Sequence, residues 1–571
     1  MKYKILTLIS LFVLLFNGAS AKESEAEYKI IKESWSLNSD GSQEFRSYKE
    51  LTIFTHTAMN STYGETFITY NPEYQSVEIH DSYTIQSDGT LIRTPDNAFV
   101  EVLPRNAQNS PAYNHLKELV VVHTGLDLGA TIVLDYSIIS RKGFASEIDV
   151  FKTIKTTSPI KNYTLTFSVP SGKELNYDII GSNVTPKLTE SNGVKELVWS
   201  FKNLGAASRE PMVSVQNGDV EALVVTSYSS TVDALAHFAK QFSSSSDVEA
   251  LAKEVVKGVD SADDKIIAIV SYIQTNIAQS SLTLAETNYT LRGVSDVIKS
   301  AYGTDAEKIA LLNAMLNSVG VNSAPAVAYN LPFENMGVAP ISELLVVADD
   351  YRLSYKSLNP VATNASQIVK ISDGSLVEVM AVAPSIKYES KIAWSGDKPL
   401  ATTVAQFSNN YLSYAKNSST GLMNASSNVT STQKENSLEV SAEQTVTLTP
   451  CGDYTMLYLP TTRKGVAQTT SYATYNSKRT SNLNLHGVID EEYSYTVTLP
   501  DNLEPSISPV TKEVKNKVGS VKKSIKVDGK VIVVNYSINV NKTMITPSEY
   551  SAFRALIVEW NSLVTKPLLL Q

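Results

Sequence analysis

The chain has 571 residues, of which 43% are hydrophobic and 19% are charged, and its formal net charge at pH 7 is −9. That hydrophobic content can build packed cores, and the length predicts three or so domains at the usual size of about 150 residues. An acidic chain is a poor partner for nucleic acid, because its field repels phosphate. The single cysteine, Cys451, excludes an intramolecular disulfide. We interpret it as a small hydrophobe rather than a reactive thiol.

Residues 1–21 have the pattern of a secretory signal peptide. Lys2 and Lys4 supply the charged start, residues 5–16 the apolar core, and Ala19 to Ala21 a small-residue cleavage site. The apolar run is shorter than the roughly 20 residues that a membrane span requires, and no cysteine follows it that could carry a lipid. The sequence therefore predicts an exported protein, periplasmic or extracellular, whose net charge after loss of two lysines is −11.

Residues 22–227 alternate between apolar and polar side chains in the manner of β-strands, with turn signals between the runs. Examples of such runs are Ser47 to Phe54, Glu65 to Tyr70, Thr131 to Ile139 and Tyr163 to Val169. The pattern predicts an N-terminal antiparallel β-sandwich. His115 and His123 lie within it, but a metal site would need a third ligand that the spacing does not supply. We therefore predict neither a metal nor a cofactor.

From residue 228 the apolar period lengthens to that of helices. Helices are predicted at 231–242, 247–256, 262–277 and 293–302, and strands at 324–329, 343–348 and 352–358. Ser246 and Glu249 have the spacing of a capping box, as do Thr304 and Glu307. The second pair predicts a buried helix that begins at about Asp305, and this order of elements indicates an α+β domain over 228–398.

Residues 399–571 return to strand patterns and end in a helix. The Asp528-Gly529 pair between two alternating runs predicts a hairpin with a type I′ turn. A final helix is predicted to start at Thr546 with proline at its first position. The whole chain is thus predicted to be a multidomain α+β protein, with a C-terminal β-rich domain that ends in a helix.

The stretch from Gly303 to Gly320 resembles the central helix of bacterial transglutaminase-like domains, which are papain-related folds. Those helices open with a Gly-Asp-Cys-Lys type motif, and the frame of Gly303, Lys308, Leu311, Leu312, Gly320 and Val321 matches it. The segment 113–132 similarly resembles the all-β domain of unknown function that precedes such domains in secreted bacterial proteins. The end of the chain resembles the C-terminal module of the same proteins.

This resemblance places the three catalytic positions of the family on residues that cannot perform its chemistry. The cysteine falls on Asp305, the histidine on Glu343 and the aspartate on Asn359. No histidine occurs between His237 and His486, so no shift of the alignment restores a Cys-His pair. We therefore predict a pseudoenzyme without catalytic residues, which binds an extracytoplasmic protein, peptide or glycan ligand.

Two other functions stay open at this point. Asp305 and Glu343 would form the carboxylate pair of a hydrolase if they lay about 5 to 9 Å apart. Alternatively, the β domains would bind carbohydrate through some of the 29 tyrosines. Exposed tyrosine rings in a row on one sheet would favour that function, whereas burial of the rings would argue against it.

Overall fold

The computed structural model describes most of the chain from residue 24 onward. The described residues are 24–213, 219–331, 337–348, 351–355, 365–379, 385–408, 422–424, 426–434, 437–466, 472, 474–485, 487–564 and 566–571, without the side chains of 433–434 and 563–564. The predicted signal peptide and Asn359 lie outside these ranges, so both stay predictions. Over the described part as a whole, more residues lie in strands than in helices.

The N-terminal region consists of strands joined by turns and short helical segments. The strands are β1 (Ala26–Leu37), β2 (Gln43–Ile53), β3 (Glu65–Tyr70), β4 (Gln75–Ile85), β5 (Leu91–Arg93), β6 (Phe99–Val102), β7 (Lys117–Val122), β8 (Thr131–Ser140), β9 (Asp149–Thr153), β10 (Ile160–Pro170), β11 (Asn176–Ile180), β12 (Lys187–Ser191), β13 (Val194–Leu204) and β14 (Ala222–Thr226). They form one sheet of eight strands in the order β12-β13-β10-β1-β2-β8-β4-β5 and two sheets of three, β11-β14-β9 and β3-β7-β6.

Both small sheets pack against the same face of the large one. Trp35, Phe45 and Phe167 stand side by side on three adjacent strands of that face, with Trp35 4.9 Å from each of the other two rings. Because apolar and polar side chains alternate along each strand, the apolar ones share one face, which is buried. The layered arrangement agrees with the predicted sandwich, but β1 and β10 pair in parallel, so the large sheet is mixed rather than wholly antiparallel.

The central region combines helices with a five-stranded antiparallel sheet. Its elements are α1 (Thr231–Ala239), α2 (Ser246–Val255), α3 (Ala262–Asn276), β15 (Ala278–Gln279), α4 (Val294–Ser300), β16 (Tyr302–Gly303), α5 (Asp305–Ser318), β17 (Ser323–Tyr329), β18 (Ile341–Ala348), β19 (Tyr351–Leu353), β20 (Gln367–Lys370) and β21 (Leu376–Val377). The sheet order is β19-β18-β17-β20-β21. The capping box at Thr304 and Glu307 is confirmed. The one predicted at Ser246 is wrong, because Ser245 is the residue that precedes α2 and Ser246 is already helical.

The C-terminal region holds a second sheet of eight strands. Its elements are β22 (Ser385–Ser395), β23 (Lys398–Ser408), β24 (Ser426–Lys434), β25 (Ser437–Thr445), β26 (Thr447–Cys451), β27 (Tyr454–Tyr458), β28 (Leu483–Asn484), β29 (Ile489–Thr498), β30 (Val510–Lys515), β31 (Gly519–Asp528), β32 (Val531–Val540), β33 (Met544–Ile545), α6 (Pro547–Val564) and β34 (Leu568–Leu570). The large sheet has the order β24-β25-β23-β22-β29-β32-β31-β30.

The hairpin predicted at Asp528-Gly529 is present, but its turn differs from the prediction. Asp528 pairs with Val531, so Gly529 and Lys530 form the two-residue loop. Gly529 has φ of +54°, and among the described residues Lys530 is not one with positive φ. A type I′ turn would need positive φ at both positions, so the loop is of the Gly-X kind.

The C-terminal helix is held by aromatic rings that the sheet buries. Trp560 of α6 lies 5.7 Å from the ring of Tyr493 and 5.4 Å from that of Tyr536. Tyr388 and Tyr495 are buried in the same cluster. These tyrosines therefore form the core of the sheet and cannot supply a sugar-stacking row on its surface.

The buried apolar cluster of the central region continues without a break into the C-terminal region, and Leu311 and Trp560 belong to the same cluster. The predicted domain boundary between residues 398 and 399 lies near the start of β23, in the β22–β23 hairpin, and it stays a prediction. Within the described residues, every helix is too short or too polar to cross a lipid bilayer.

Candidate functional site

The N-terminus of α5 is the position that the sequence resemblance aligns with a catalytic cysteine, and it is shaped by the capping box. The Thr304 hydroxyl accepts a hydrogen bond from the amide of Glu307 at 3.2 Å, and the Thr304 amide donates to Glu307 Oε2 at 2.8 Å. This reciprocal pair satisfies amides that the first helical turn leaves without partners. The helix start is therefore fixed in place.

Glu307 caps the helix, and its side chain is also completely buried, where it accepts further hydrogen bonds. Arg292 binds it with two hydrogen bonds, Nε to Oε1 at 2.8 Å and Nη2 to Oε2 at 3.0 Å. The Tyr113 hydroxyl, from a short turn of the N-terminal region, donates to Oε1 at 2.6 Å. Burial opposes ionisation of Glu307, but these hydrogen bonds outweigh it and hold its pKa below the ordinary value.

The guanidinium of Arg292 is enclosed by aromatic rings as well. Its central carbon lies 4.3 Å from the ring centre of Tyr302 and 5.5 Å from that of Tyr113. Desolvated cation–π contacts of this kind add to the ion pair. The N-terminal region and the start of α5 thus share one buried polar network, which joins the two regions at a position two residues from Asp305.

Asp305 faces the other way, toward solvent and a cavity of about 670 Å³. Its Oδ1 accepts hydrogen bonds from Gln279 Nε2 at 3.0 Å and from the Tyr355 hydroxyl. Burial of Tyr355, followed by its hydrogen bond to Asp305 and the charge of that carboxylate, raises the pKa of Tyr355 well above the ordinary value. Tyr355 therefore stays a protonated donor at physiological pH. Beneath it, the buried Lys308 ammonium lies 4.7 Å from the Tyr355 ring centre.

Glu343 lines the same cavity as Asp305. It is half-buried near the start of β18, and its charge contributes to the raised pKa of Tyr355. Side chains alternate between the two faces of β18. Leu344 lies on the face that packs toward α5, whereas Glu343 and Leu345 lie on the opposite face. The β17–β18 pairing shifts register beside Glu343, which accounts for its position at the cavity edge.

The structure therefore brings Asp305 and Glu343, two of the three residues that the sequence resemblance aligns with catalytic positions, to one cavity. Sequence reasoning missed Gln279 and Tyr355, which contact Asp305 from segments 26 and 50 residues away. A two-residue parallel pairing of β15 with β16 positions Gln279, and no local pattern indicates it. The sequence did not predict the role of Tyr113 either, because its partner Glu307 is 194 residues away.

The two histidines considered for a metal site have separate environments. The His115 ring lies 6.3 Å from the ring of Tyr113. His123 is buried, and its Nε2 is 2.9 Å from the Thr66 hydroxyl. Burial lowers the pKa of His123 to about 4, so this ring is neutral at physiological pH.

Comparison with known proteins covers nearly the whole chain. A crystal structure from Parabacteroides distasonis ATCC 8503, described as a "putative protease", superposes with a TM-score of 0.79 and 36% sequence identity. The match spans 96% of this chain and 99% of that one. The chain belongs to the same family as that protein.

Two family models locate the domains of this family along the chain. Residues 39–208 match the domain of unknown function DUF3857, and residues 454–570 match the domain of unknown function DUF3858. The first match confirms that the N-terminal strands form a domain of unknown function. No curated protein matches the chain. In this DUF3857 and DUF3858 protein, the cavity at Asp305 lies between the two matched segments in sequence.

Proposed function

We propose that this protein is an exported, non-catalytic relative of transglutaminase-like and papain-like enzymes, and that its central cleft binds a polypeptide. The observation that carries the proposal is the identity of the residue at the start of α5. Asp305 stands beside the cavity where such enzymes have their cysteine, and its carboxylate accepts hydrogen bonds from Gln279 and Tyr355. A helix N-terminus stabilises that carboxylate as it would a thiolate.

The surrounding residues support binding rather than acyl transfer. A carboxylate is a weak nucleophile toward amides in water, and acyl transfer needs a general base near the nucleophile. The sequence has no histidine between His237 and His486, and its one cysteine, Cys451, lies on β26 of the C-terminal region. The side chains around Asp305 can hold a ligand, but they lack the nucleophile and general base that acyl transfer requires.

The cavity suits a peptide in both size and lining. At about 670 Å³ it is within the usual range of ligand sites, about 300 to 1,000 Å³. Leu282, Ile309 and Ile341 provide apolar surface, while Gln279 and Tyr355 provide polar groups. The Parabacteroides relative is described as a "putative protease", and proteases are enzymes that hold extended polypeptides. A cleft that keeps this shape after losing its nucleophile would hold the same kind of chain.

Activity and binding should be measured on the same purified protein. Casein would be supplied for cleavage, and casein with a fluorescent amine for transamidation. We expect both rates to equal those of Asp305→Ala. Turnover that Asp305→Ala abolishes would contradict the absence of catalysis.

Binding would be measured by selection from a phage-displayed peptide library. We expect the native protein to retain a set of peptides. The Ser281→Trp variant, whose larger side chain fills the cavity, should not retain them. Ser372→Trp is the matched control, because Ser372 is an exposed serine of the same region that does not line the cavity. Failure to enrich any peptide would count against the proposed ligand.

The carboxylate-pair hydrolase is the second candidate, favoured by the fact that Asp305 and Glu343 line one cavity. It requires that both carboxylates act on one bond. Hydrolysis of a polysaccharide that is lost in both Asp305→Asn and Glu343→Gln would favour this candidate over the binding function.

A further inference from the structure

A pair of cavities lies between the N-terminal and central regions, and it meets the cavity at Asp305 at two shared lining residues, Ala285 and Tyr289. The first, of about 510 Å³, is enclosed by β1, β2 and residues 144–150 on one side and by α1 on the other. The second, of about 650 Å³, lies against the turn before β4 and residues 285–292. Both are lined by Gln75, Phe144, Asn288 and Thr290, so they adjoin each other. We call them together the interdomain groove.

Aromatic rings form much of the wall of this groove. Trp35, Tyr228 and Tyr289 line the first cavity and are half-buried. Tyr74 and Phe144 lie where the cavities meet, with ring centres 5.9 Å apart, and Tyr74 is 41% exposed. Flat apolar faces beside polar groups are the surfaces that aromatic side chains offer to amphipathic ligands. In contrast to the buried tyrosines of the C-terminal sheet, these rings are accessible.

The polar groups of the groove favour an uncharged ligand. Among the described residues that line the first cavity there is no lysine or arginine, and Arg292, which lines the second, is already paired with Glu307. The carboxylates of the first cavity have partners as well: Ser137 donates to Glu44, Lys173 and Ser227 bind Glu147, and the amides of Val338 and Ala339 donate to Asp149. In the second cavity, Asn106 and Thr283 donate to Glu286.

Amide side chains complete the lining. Gln43 donates through its Nε2 to two backbone carbonyls, both at 3.1 Å, and Asn288 donates through its Nδ2 to the carbonyl of Phe144 at 2.6 Å. Their side-chain oxygens keep acceptor capacity for hydroxyl donors. Aromatic faces combined with neutral acceptors match a molecule that has apolar ring faces and a rim of hydroxyl groups.

The wall shared by both cavities is also strained. Asn288 and Tyr289 are consecutive non-glycine residues with φ of +50° and +55°. This left-handed conformation is unfavourable for residues other than glycine, and such strain persists only where the surroundings impose it. Gln241 donates to the Tyr289 carbonyl at 2.8 Å and accepts from the Leu291 amide at 2.8 Å, which holds the loop in this shape.

We infer that the interdomain groove is a binding site for a neutral oligosaccharide, with Tyr74 and Phe144 as its stacking surface. Its stacking surface is distinct from the proposed peptide cleft, because neither Tyr74 nor Phe144 lines the cavity at Asp305. The protein would then hold a glycan between its first two regions and a polypeptide at α5.

The test is a glycan array of immobilised neutral and acidic oligosaccharides, followed by calorimetric titration of the strongest one. We expect a neutral glycan to bind, and the double variant Tyr74→Ala with Phe144→Ala to bind it at least about tenfold more weakly, since it loses both rings. The Phe144 substitution keeps the carbonyl that Asn288 bonds, so the loop contact is preserved. Tyr475→Ala, at an 81% exposed tyrosine outside the groove, is the control that should bind unchanged.

The inference would be overturned by the absence of any glycan above background, by preference for acidic glycans, or by binding that the double variant retains in full. Loss of glycan binding in Ser281→Trp would also overturn it, because Ser281 lines the cleft at Asp305 and neither cavity of the groove. Conversely, a failure of the peptide selection would leave the glycan result unaffected.

Discussion

Glu307 and Asp305 lie two residues apart in the first turn of α5, yet their surroundings differ completely. Glu307 is buried and accepts hydrogen bonds from Arg292, Tyr113 and the Thr304 amide. Asp305 is exposed at a cavity and accepts hydrogen bonds from Gln279 and Tyr355, two side chains of its own region. Both positions favour negative charge because of the helix dipole. The difference indicates that the Glu307 carboxylate maintains the fold, whereas the Asp305 carboxylate borders a cavity.

The largest expected effect comes from breaking the network of Glu307. Arg292→Met leaves a buried carboxylate without its cation, and we expect a loss of about 3 to 5 kcal/mol in the free energy of unfolding. Urea unfolding followed by circular dichroism measures it. Lys257→Met, which removes an exposed surface pair with Glu254, should leave the midpoint unchanged. A loss no larger than that of this control would show that the Arg292 pair is not structural.

A second buried carboxylate gives a pH-dependent effect. Asp149 Oδ2 accepts hydrogen bonds from the amides of Val338 and Ala339, at 2.6 and 2.9 Å. Burial raises the pKa of Asp149 to about 6, although these amides and the Thr226 hydroxyl oppose the shift. The folded chain therefore keeps a proton that the unfolded chain loses near pH 3.8. Stability should fall as pH rises between about 4 and 7, by roughly 3 kcal/mol at most.

Asp149→Asn should remove this dependence, because asparagine still accepts both amide hydrogen bonds but does not titrate. Thermal unfolding of both proteins at pH 4.5 and pH 7.5 compares them directly. If the stability difference between the two proteins were the same at pH 4.5 and pH 7.5, the folded protein would not raise the pKa of Asp149. Gly337 is the residue that makes room for the carboxylate, since a Cβ there would lie 1.8 Å from Asp149 Oδ1.

A smaller loss is expected from Tyr113→Phe, which removes one of the donors to Glu307 and keeps the ring. We expect about 1 to 2 kcal/mol. Hydrogen exchange should also be faster in the first turn of α5, because the cap loses part of its anchor. Tyr475→Phe, at an exposed ring, serves as the control. Unchanged exchange in α5 would show that the Tyr113 hydroxyl does not support the helix start.

The smallest effect on stability is expected at Asp305. Asp305→Asn removes an exposed charge from the helix N-terminus and should cost less than about 1 kcal/mol. The same variant should weaken binding of peptides selected on the native protein, since its amide cannot reproduce both accepted hydrogen bonds equally. Calorimetry with a selected peptide measures this. A large stability loss without a binding change would reverse the assignment of roles to Asp305 and Glu307.

Local rules predicted the start of α5 but not its environment. The Thr304 and Glu307 spacing alone defines a capping box, and the structure confirms it. The same spacing at Ser246 failed, because a capping box needs the serine outside the helix and α2 begins one residue too early. The partners of Glu307 and Asp305 come from remote segments, so no periodicity could indicate them. The domain division and the absence of catalysis stay predictions.

Synthesis order gives the Tyr113 contact a consequence for biogenesis. Domains fold largely as they emerge, N-terminal first. The Tyr113 hydroxyl that binds Glu307 is thus made 194 positions before Glu307 itself, in a short turn of a domain that can already be folded. The leading domain then acts as a template on which the later helix completes its first turn. A fragment that begins at residue 228 would have to bury the Glu307 carboxylate without the hydrogen bond from Tyr113. We therefore expect it to refold more slowly than the complete chain.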